Sequence, residues 1–99
     1  MAKRAKVIWT KQAEEQLEEF YRFVEKLRST EVADRFLERI IEFEKDIERY
    51  PNMYVASDHH QSIRMGKVHK LVQVIYELIG DHIYIVGLID NRSALSNDL

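Results

Sequence analysis

Leu71-Val-Gln-Val-Ile-Tyr-Glu-Leu-Ile-Gly-Asp-His-Ile-Tyr-Ile-Val-Gly-Leu-Ile89 decides the fold of this 99-residue chain. Two apolar, β-branched runs flank Gly80-Asp81, and a dipeptide of that kind between strand-type runs signals a two-residue hairpin. The second run, His82 to Ile89, is nearly continuous apolar. That composition predicts a central strand with both faces covered. Working upstream, Ile63 to Val68 carries the same strand character, while Asn52 to Gln61 has no period and reads as a loop. Downstream, Asp90-Asn91-Arg92 leaves the last strand and Ser93 to Leu99 is a polar tail.

The first half of the chain has a different period. Val7-Ile-Trp9 is short, β-branched and aromatic, and Thr10 is placed to cap a helix. From Lys11 to about Arg28, Ala13, Leu17, Phe20, Tyr21, Val24 and Leu27 recur in steps of three and four, which make one helical stripe. Glu14, Glu15, Glu18 and Glu19 crowd its first turns, with Lys26 and Arg28 at the far end, as the helix dipole favours. Ser29-Thr30 offers a second cap, with Glu31 and Asp34 in the turn that follows. A second stripe runs through Val32, Ala33, Phe36, Leu37, Ile40, Phe43 and Ile47, widened by Ile41 and Tyr50. Pro51 disfavours a helical conformation at Tyr50, so the helix stops there. So short a link makes the two helices an antiparallel hairpin. The element order is β-α-α-β-β-β: an α+β domain over residues 1–99, with the helical hairpin packed on one face of a mainly antiparallel sheet. Phe36, Ile40, Phe43, Val74, Ile83 and Ile85 fall at its core-facing positions.

Composition bounds the function. Ninety-nine residues are too few to divide into two cores. With 45% hydrophobic and 32% charged residues the chain is too apolar for disorder. No apolar run approaches the ~18 residues that span a bilayer, and Val7-Ile-Trp9 behind a basic start is too short for a signal-peptide core. A reducing cytoplasm is the expected address. The absence of cysteine excludes disulfide scaffolds, thiolate metal sites and cysteine catalysis. A net charge of −2 predicts no strong grip on free nucleic acid. One local exception stands out: between Gln61 and Tyr76 lie Arg64, Lys67 and Lys70 with no acid. The histidines His59, His60, His69 and His82 show no metal-ligand spacing, so no metal and no cofactor is expected. A histidine near Arg64 has the chemistry of a general base at neutral pH, yet loop histidines are usually solvent-exposed and idle.

A resemblance enters here. Trp9-Thr10 after a strand, a charged helical hairpin closed by Tyr50-Pro51, then Ile63-Arg64, Val74-Ile-Tyr76, Gly80-Asp81, Ile83-Tyr-Ile85 and Asp90-Asn-Arg92 follow one another as they do in the RelE/ParE toxins. Over about Lys6 to Leu95 the chain resembles that superfamily of bacterial type II toxin–antitoxin (plasmid stabilisation) systems. The resemblance implies a toxin held inactive by a cognate antitoxin. Members similar to RelE cut messenger RNA on the ribosome, and those similar to ParE poison DNA gyrase. It also implies candidate site residues, Arg64, Lys67 and Arg92, for phosphate binding or target contact. Two departures rank the outcomes. Gln73 stands where RelE-like nucleases carry an arginine three residues before the strand tyrosine that Tyr76 resembles, and Ser93 to Leu99 holds no tyrosine. They favour a ParE-like binding toxin, or a member that only binds its antitoxin, over a RelE-like endoribonuclease, and the ParE-like reading is put first. The expected partners are an antitoxin, with DNA gyrase or the ribosome as target, no membrane, and a second copy of the chain as a further candidate.

Plainer roles exist for the same residues. Arg64 could neutralise a helix carboxylate such as Glu44, and Lys67 and Lys70 could discourage pairing at a sheet edge. Arg92 beside Asp90 could form a structural ion pair. Tyr76 reads as core with its hydroxyl satisfied at the rim, and Gly87 as a bulge or a close approach to a helix.

Overall fold

The computed structural model describes residues 6–60, 62–69 and 72–90. Strand β1 (Lys6–Trp9) leads into helix α1 (Lys11–Leu27) and helix α2 (Thr30–Arg49), followed by strands β2 (Ile63–His69), β3 (Val72–Ile79) and β4 (His82–Asp90). The strands form one sheet in the order β1-β4-β3-β2. β1 pairs parallel with β4, and the other two pairings are antiparallel. The expected α+β architecture is therefore the one observed, with β4 inside the sheet and β1 and β2 at its edges.

Local chemistry accounts for the boundaries. Thr10 Oγ1 accepts from the Ala13 N–H at 3.2 Å to cap α1, and donates to the Ile85 carbonyl at 3.1 Å. Ser29 Oγ accepts from the Val32 N–H at 3.1 Å to cap α2. Gly80 has φ 58°, and Ile79 pairs with His82, so Gly80-Asp81 is the whole hairpin loop. A positive φ at its first residue alone is the type II′ pattern, which suits glycine.

The core lies between the helices and one sheet face. Phe36, Ile40, Phe43, Val74, Ile83 and Ile85 are all buried there, joined by Phe20, Val24, Ile47, Val72 and Tyr76. Two edges of the expected helical stripes are wet instead: Ile41 is 43% and Tyr50 60% exposed. β4 departs from expectation in one respect. Its burial alternates, because among the described residues both helices lie on a single side. The opposite side carries Ile8, Met65, Ile75, Ile79, Tyr84 and Ile89, of which Met65, Ile79 and Ile89 are 41–51% exposed. Between the pairs Tyr76–Ile85 and Ile75–Gly87, Val86 is an extra residue, a β-bulge. At that bulge the Gln16 side chain of α1 accepts from the Leu88 N–H at 2.9 Å. A Cβ on Gly87 would lie 3.2 Å from the same oxygen, so both readings of Gly87 hold.

Candidate functional site

Arg64 sits on β2 directly across from Tyr76 on β3. Its guanidinium does not meet Glu44, whose carboxylate instead accepts from Trp9 Nε1 at 2.5 Å. Arg64 Nη1 donates to the Tyr54 carbonyl, and to that of Asn52 at 3.5 Å. Its Nε is buried with no hydrogen bond among the described residues. Next to it, the fully buried Tyr76 donates its hydroxyl to the Pro51 carbonyl at 2.8 Å. Burial pushes the Tyr76 phenol up to about 12, with the Arg64 charge pulling the other way. Two sheet residues thus hold the backbone of residues 51–54, the segment that leaves α2.

Aromatic packing completes the clasp. Tyr54 stacks on Phe43 at 5.1 Å between ring centroids and meets Tyr76 edge-on at 6.4 Å. Phe43 meets Tyr76 edge-on at 6.0 Å. This three-ring cluster rests on Gly66, where a Cβ would lie 2.5 Å from Phe43 Cε2 and 2.8 Å from Tyr54 Cδ2. The loop is tied again by the Ser57 N–H to the Ile63 carbonyl at 2.7 Å, and by a bridge between Ala56 and Arg64. Sequence reasoning singled out Arg64 and Tyr76 but missed Gly66 and Tyr54.

The candidate cations do not gather around one point. Lys67 is exposed on the edge strand β2 and borders a shallow cleft with Arg39, Glu42, Asp46 and Tyr54, where acids match cations in number. Gln73 is half-buried on β3, between Lys67 and Ile89. Lys70 and Arg92 lie outside the described residues. The four histidines are scattered likewise. His59 and His60 are exposed in the loop, with His60 Nδ1 and Ser62 Oγ 2.7 Å apart. His69 borders a different cleft with Val32, Arg35, Phe36 and Arg39, and His82 stacks on Tyr84 at 6.1 Å. No group of three or more potential ligands among the described residues could hold a metal ion.

Apolar surface is the other prominent feature. Beside the open sheet face described above, Trp9, Leu17, Tyr21 and Leu37 line a groove at the helical hairpin, bordered by Glu14 and Glu18. Tyr21 donates to Asp34 Oδ1 at 2.5 Å, and that bond raises its phenol to about 12. None of the described helices is long and apolar enough to cross a membrane.

Comparison with known proteins agrees with this architecture. A solved structure titled as the chromosomal ParDE toxin–antitoxin system from P. aeruginosa superimposes with TM-score 0.74 at 19% identity, covering 88% of this chain and 96% of that one. The YoeB dimer from Staphylococcus aureus superimposes with TM-score 0.58 at 15% identity, covering 90% of this chain and 99% of that one. At such identities these likenesses speak for the fold. No curated protein matches the sequence significantly. The family model for the ParE toxin of the type II toxin–antitoxin system parDE matches residues 7–95. Nearly the whole described fold falls within that match, so the chain belongs to the ParE toxin family within the RelE/ParE superfamily.

Proposed function

We propose that this toxin acts by docking onto a protein target such as DNA gyrase, and that a cognate antitoxin holds it inactive. One observation carries the reading: the guanidinium of Arg64 is committed to the carbonyls of Tyr54 and Asn52. Stabilising a scissile phosphate needs donors free to meet developing charge, and Nη1, already bonded to loop backbone, is held in place by that loop. Lys67, the other described candidate, faces a cleft balanced by Glu42 and Asp46. The open face of the sheet, with Met65, Ile75 and Ile89, offers apolar surface of the kind that protein segments cover. An antitoxin segment fits that face and, among the described residues, the outer edge of β1.

Induced expression in bacteria tests the reading through two readouts. Growth arrest should come with a DNA-damage response and without new transcript ends at ribosomal A-site codons. Primer extension showing A-site cuts that vanish in Arg64→Ala or Arg92→Ala would establish the endoribonuclease instead. Co-expression with the product of the adjacent reading frame should restore growth and yield a complex stable in size-exclusion chromatography.

A further inference from the structure

We infer that the loop tip Tyr50–Val55 is the element with which this toxin contacts its target, a folded protein offering an uncharged apolar pocket. The inference rests on the docking reading above and names the surface that does the docking. Only two runs of eight residues in the sequence lack Asp, Glu, Lys and Arg: 50–57 and 82–89. The second is strand β4, inside the sheet, with Ile83, Ile85, Gly87 and Leu88 buried. The first is a loop in a chain that is 32% charged; burial accounts for Tyr54, which packs on the core, but not for the exposed Tyr50, Asn52, Met53 and Val55.

Exposure and order together give that run a meaning. Tyr50 is 60%, Met53 48% and Val55 84% exposed. Single exposed apolar residues are ordinary, but these three share six residues of one tip. The tip is also held from beneath. Tyr76 takes the Pro51 carbonyl, Arg64 those of Tyr54 and Asn52, Tyr54 stacks on Phe43, and the Met53 N–H reaches the Tyr50 carbonyl at 3.1 Å. A tip ordered before binding loses little conformational entropy on docking, and one without charge loses little hydration of ions. Three exposed apolar side chains find enough area to bury only in a concave partner, which a folded protein provides. An extended or helical antitoxin segment gains more from the open sheet face and the groove beside Trp9. Nucleic acid is disfavoured by the same absence of cations.

The test is a growth-arrest titration with the full chain, comparing Met53→Ser, Val55→Ser and their double variant with Leu27→Ser, an exposed apolar change at the far end of α1. Melting curves and co-elution with the antitoxin are recorded for each. The expected result is that the double variant needs at least about tenfold more inducer to arrest growth, as loss of a hot spot would give, with melting and antitoxin binding unchanged. Val55→Ser alone should fall between, which keeps the test decisive if the double variant folds poorly. Arrest undiminished in every tip variant overturns the assignment while leaving the docking reading intact. Loss of antitoxin binding in parallel with arrest would make the tip an antitoxin surface, and overturns it too. Failure of the unaltered protein to arrest growth overturns the docking reading itself and this inference with it.

Discussion

Gly66→Ala is the most incisive perturbation of the clasp, because it adds one methyl group and touches neither Arg64 nor Tyr76. The new Cβ would lie 2.5 and 2.9 Å from Phe43 Cε2 and Cζ, and 2.8 Å from Tyr54 Cδ2. All three distances are well inside carbon–carbon contact at about 3.5–4.0 Å. The Phe43 ring has no easy way out. Phe43 is 4% exposed and bracketed by Tyr54 on its face and Tyr76 at its edge. Overpacking of this kind costs about 1–3 kcal/mol. Against it stands the backbone entropy that alanine removes from the unfolded chain, about 0.4–1 kcal/mol, since Gly66 has no positive φ to forbid the change. Destabilisation should win by roughly 1–2 kcal/mol. For a domain of this size that lowers the thermal midpoint by about 4–16 °C.

Far-ultraviolet circular dichroism through a thermal ramp measures the shift, and near-ultraviolet dichroism follows the tyrosines. A second variant isolates the cause. Phe43→Leu removes the ring atoms that the methyl would strike, so Gly66→Ala should cost markedly less in that background. Coupling of about 0.5–3 kcal/mol is usual for residues in contact. An unchanged or raised midpoint for Gly66→Ala, or strict additivity with Phe43→Leu, would refute the steric account of the three-ring cluster.

Three further outcomes follow from the same geometry. Arg64→Met should lower stability by about 1–2 kcal/mol in urea, because two loop carbonyls lose a charged donor; an unchanged midpoint would show that the arginine is not a clasp. Tyr76 and Tyr21 hold their protons up to about 12 against 10.0 in an unfolded chain. The folded state then binds more protons than the unfolded one between those values, so stability is full below pH 10 and falls from pH 10 towards 12. Tyr76→Phe should flatten part of that fall, and alkaline melts of equal slope would contradict it. Ile85→Ala and Phe43→Ala each truncate a side chain at most 4% exposed, and each should cost roughly 2–5 kcal/mol in denaturant unfolding.

Which of these features the sequence discloses depends on how each is encoded. Helices α1 and α2 are legible because their apolar steps repeat over 17 and 20 residues, with Thr10 and Ser29 as hydroxyl caps at the starts. The hairpin is legible because Gly80-Asp81 has a local backbone reason. The coverage of β4 is not, since a continuous apolar run fits a doubly covered strand and a strand with one open apolar face equally well. Exposure of Ile41 and Tyr50 is hidden for a related reason: a stripe states that a residue is apolar, not that a neighbour reaches it. The site divides the same way. Tyr76 and Gly87 follow from strand composition, whereas Arg64 bonds to main-chain oxygens of residues 52 and 54. Backbone acceptors are present at every residue, so no side-chain pattern announces them. The usable signal was charge, since the uncharged run 50–57 marks a loop that is unusual in this chain.

The position of Arg64 links stability to function in a way that neither feature does alone. A guanidinium has five N–H donors but one location, so an arginine whose Nη1 is bonded to the Tyr54 and Asn52 carbonyls can turn its whole fork outward to a phosphate only by releasing them. Release would also leave the Tyr54 ring, stacked on Phe43 above Gly66, without its backbone anchor. Of the carbonyls held from the sheet, only that of Pro51, on Tyr76, would then keep its donor. Contact through the tip places the opposite demand on the same residue. It requires Arg64 to stay where it is, because the order of Met53 and Val55 derives from the carbonyls beside them. The two functional readings therefore predict opposite fates for the loop when the target binds. A nuclease would loosen residues 51–54 as Arg64 turns outward, whereas a docking toxin would tighten them. Amide hydrogen exchange at Met53 and Ser57, whose N–H groups are bonded to the Tyr50 and Ile63 carbonyls, reports that choice directly. Slower exchange in the complex agrees with docking through the tip, and faster exchange agrees with a guanidinium that has left its loop.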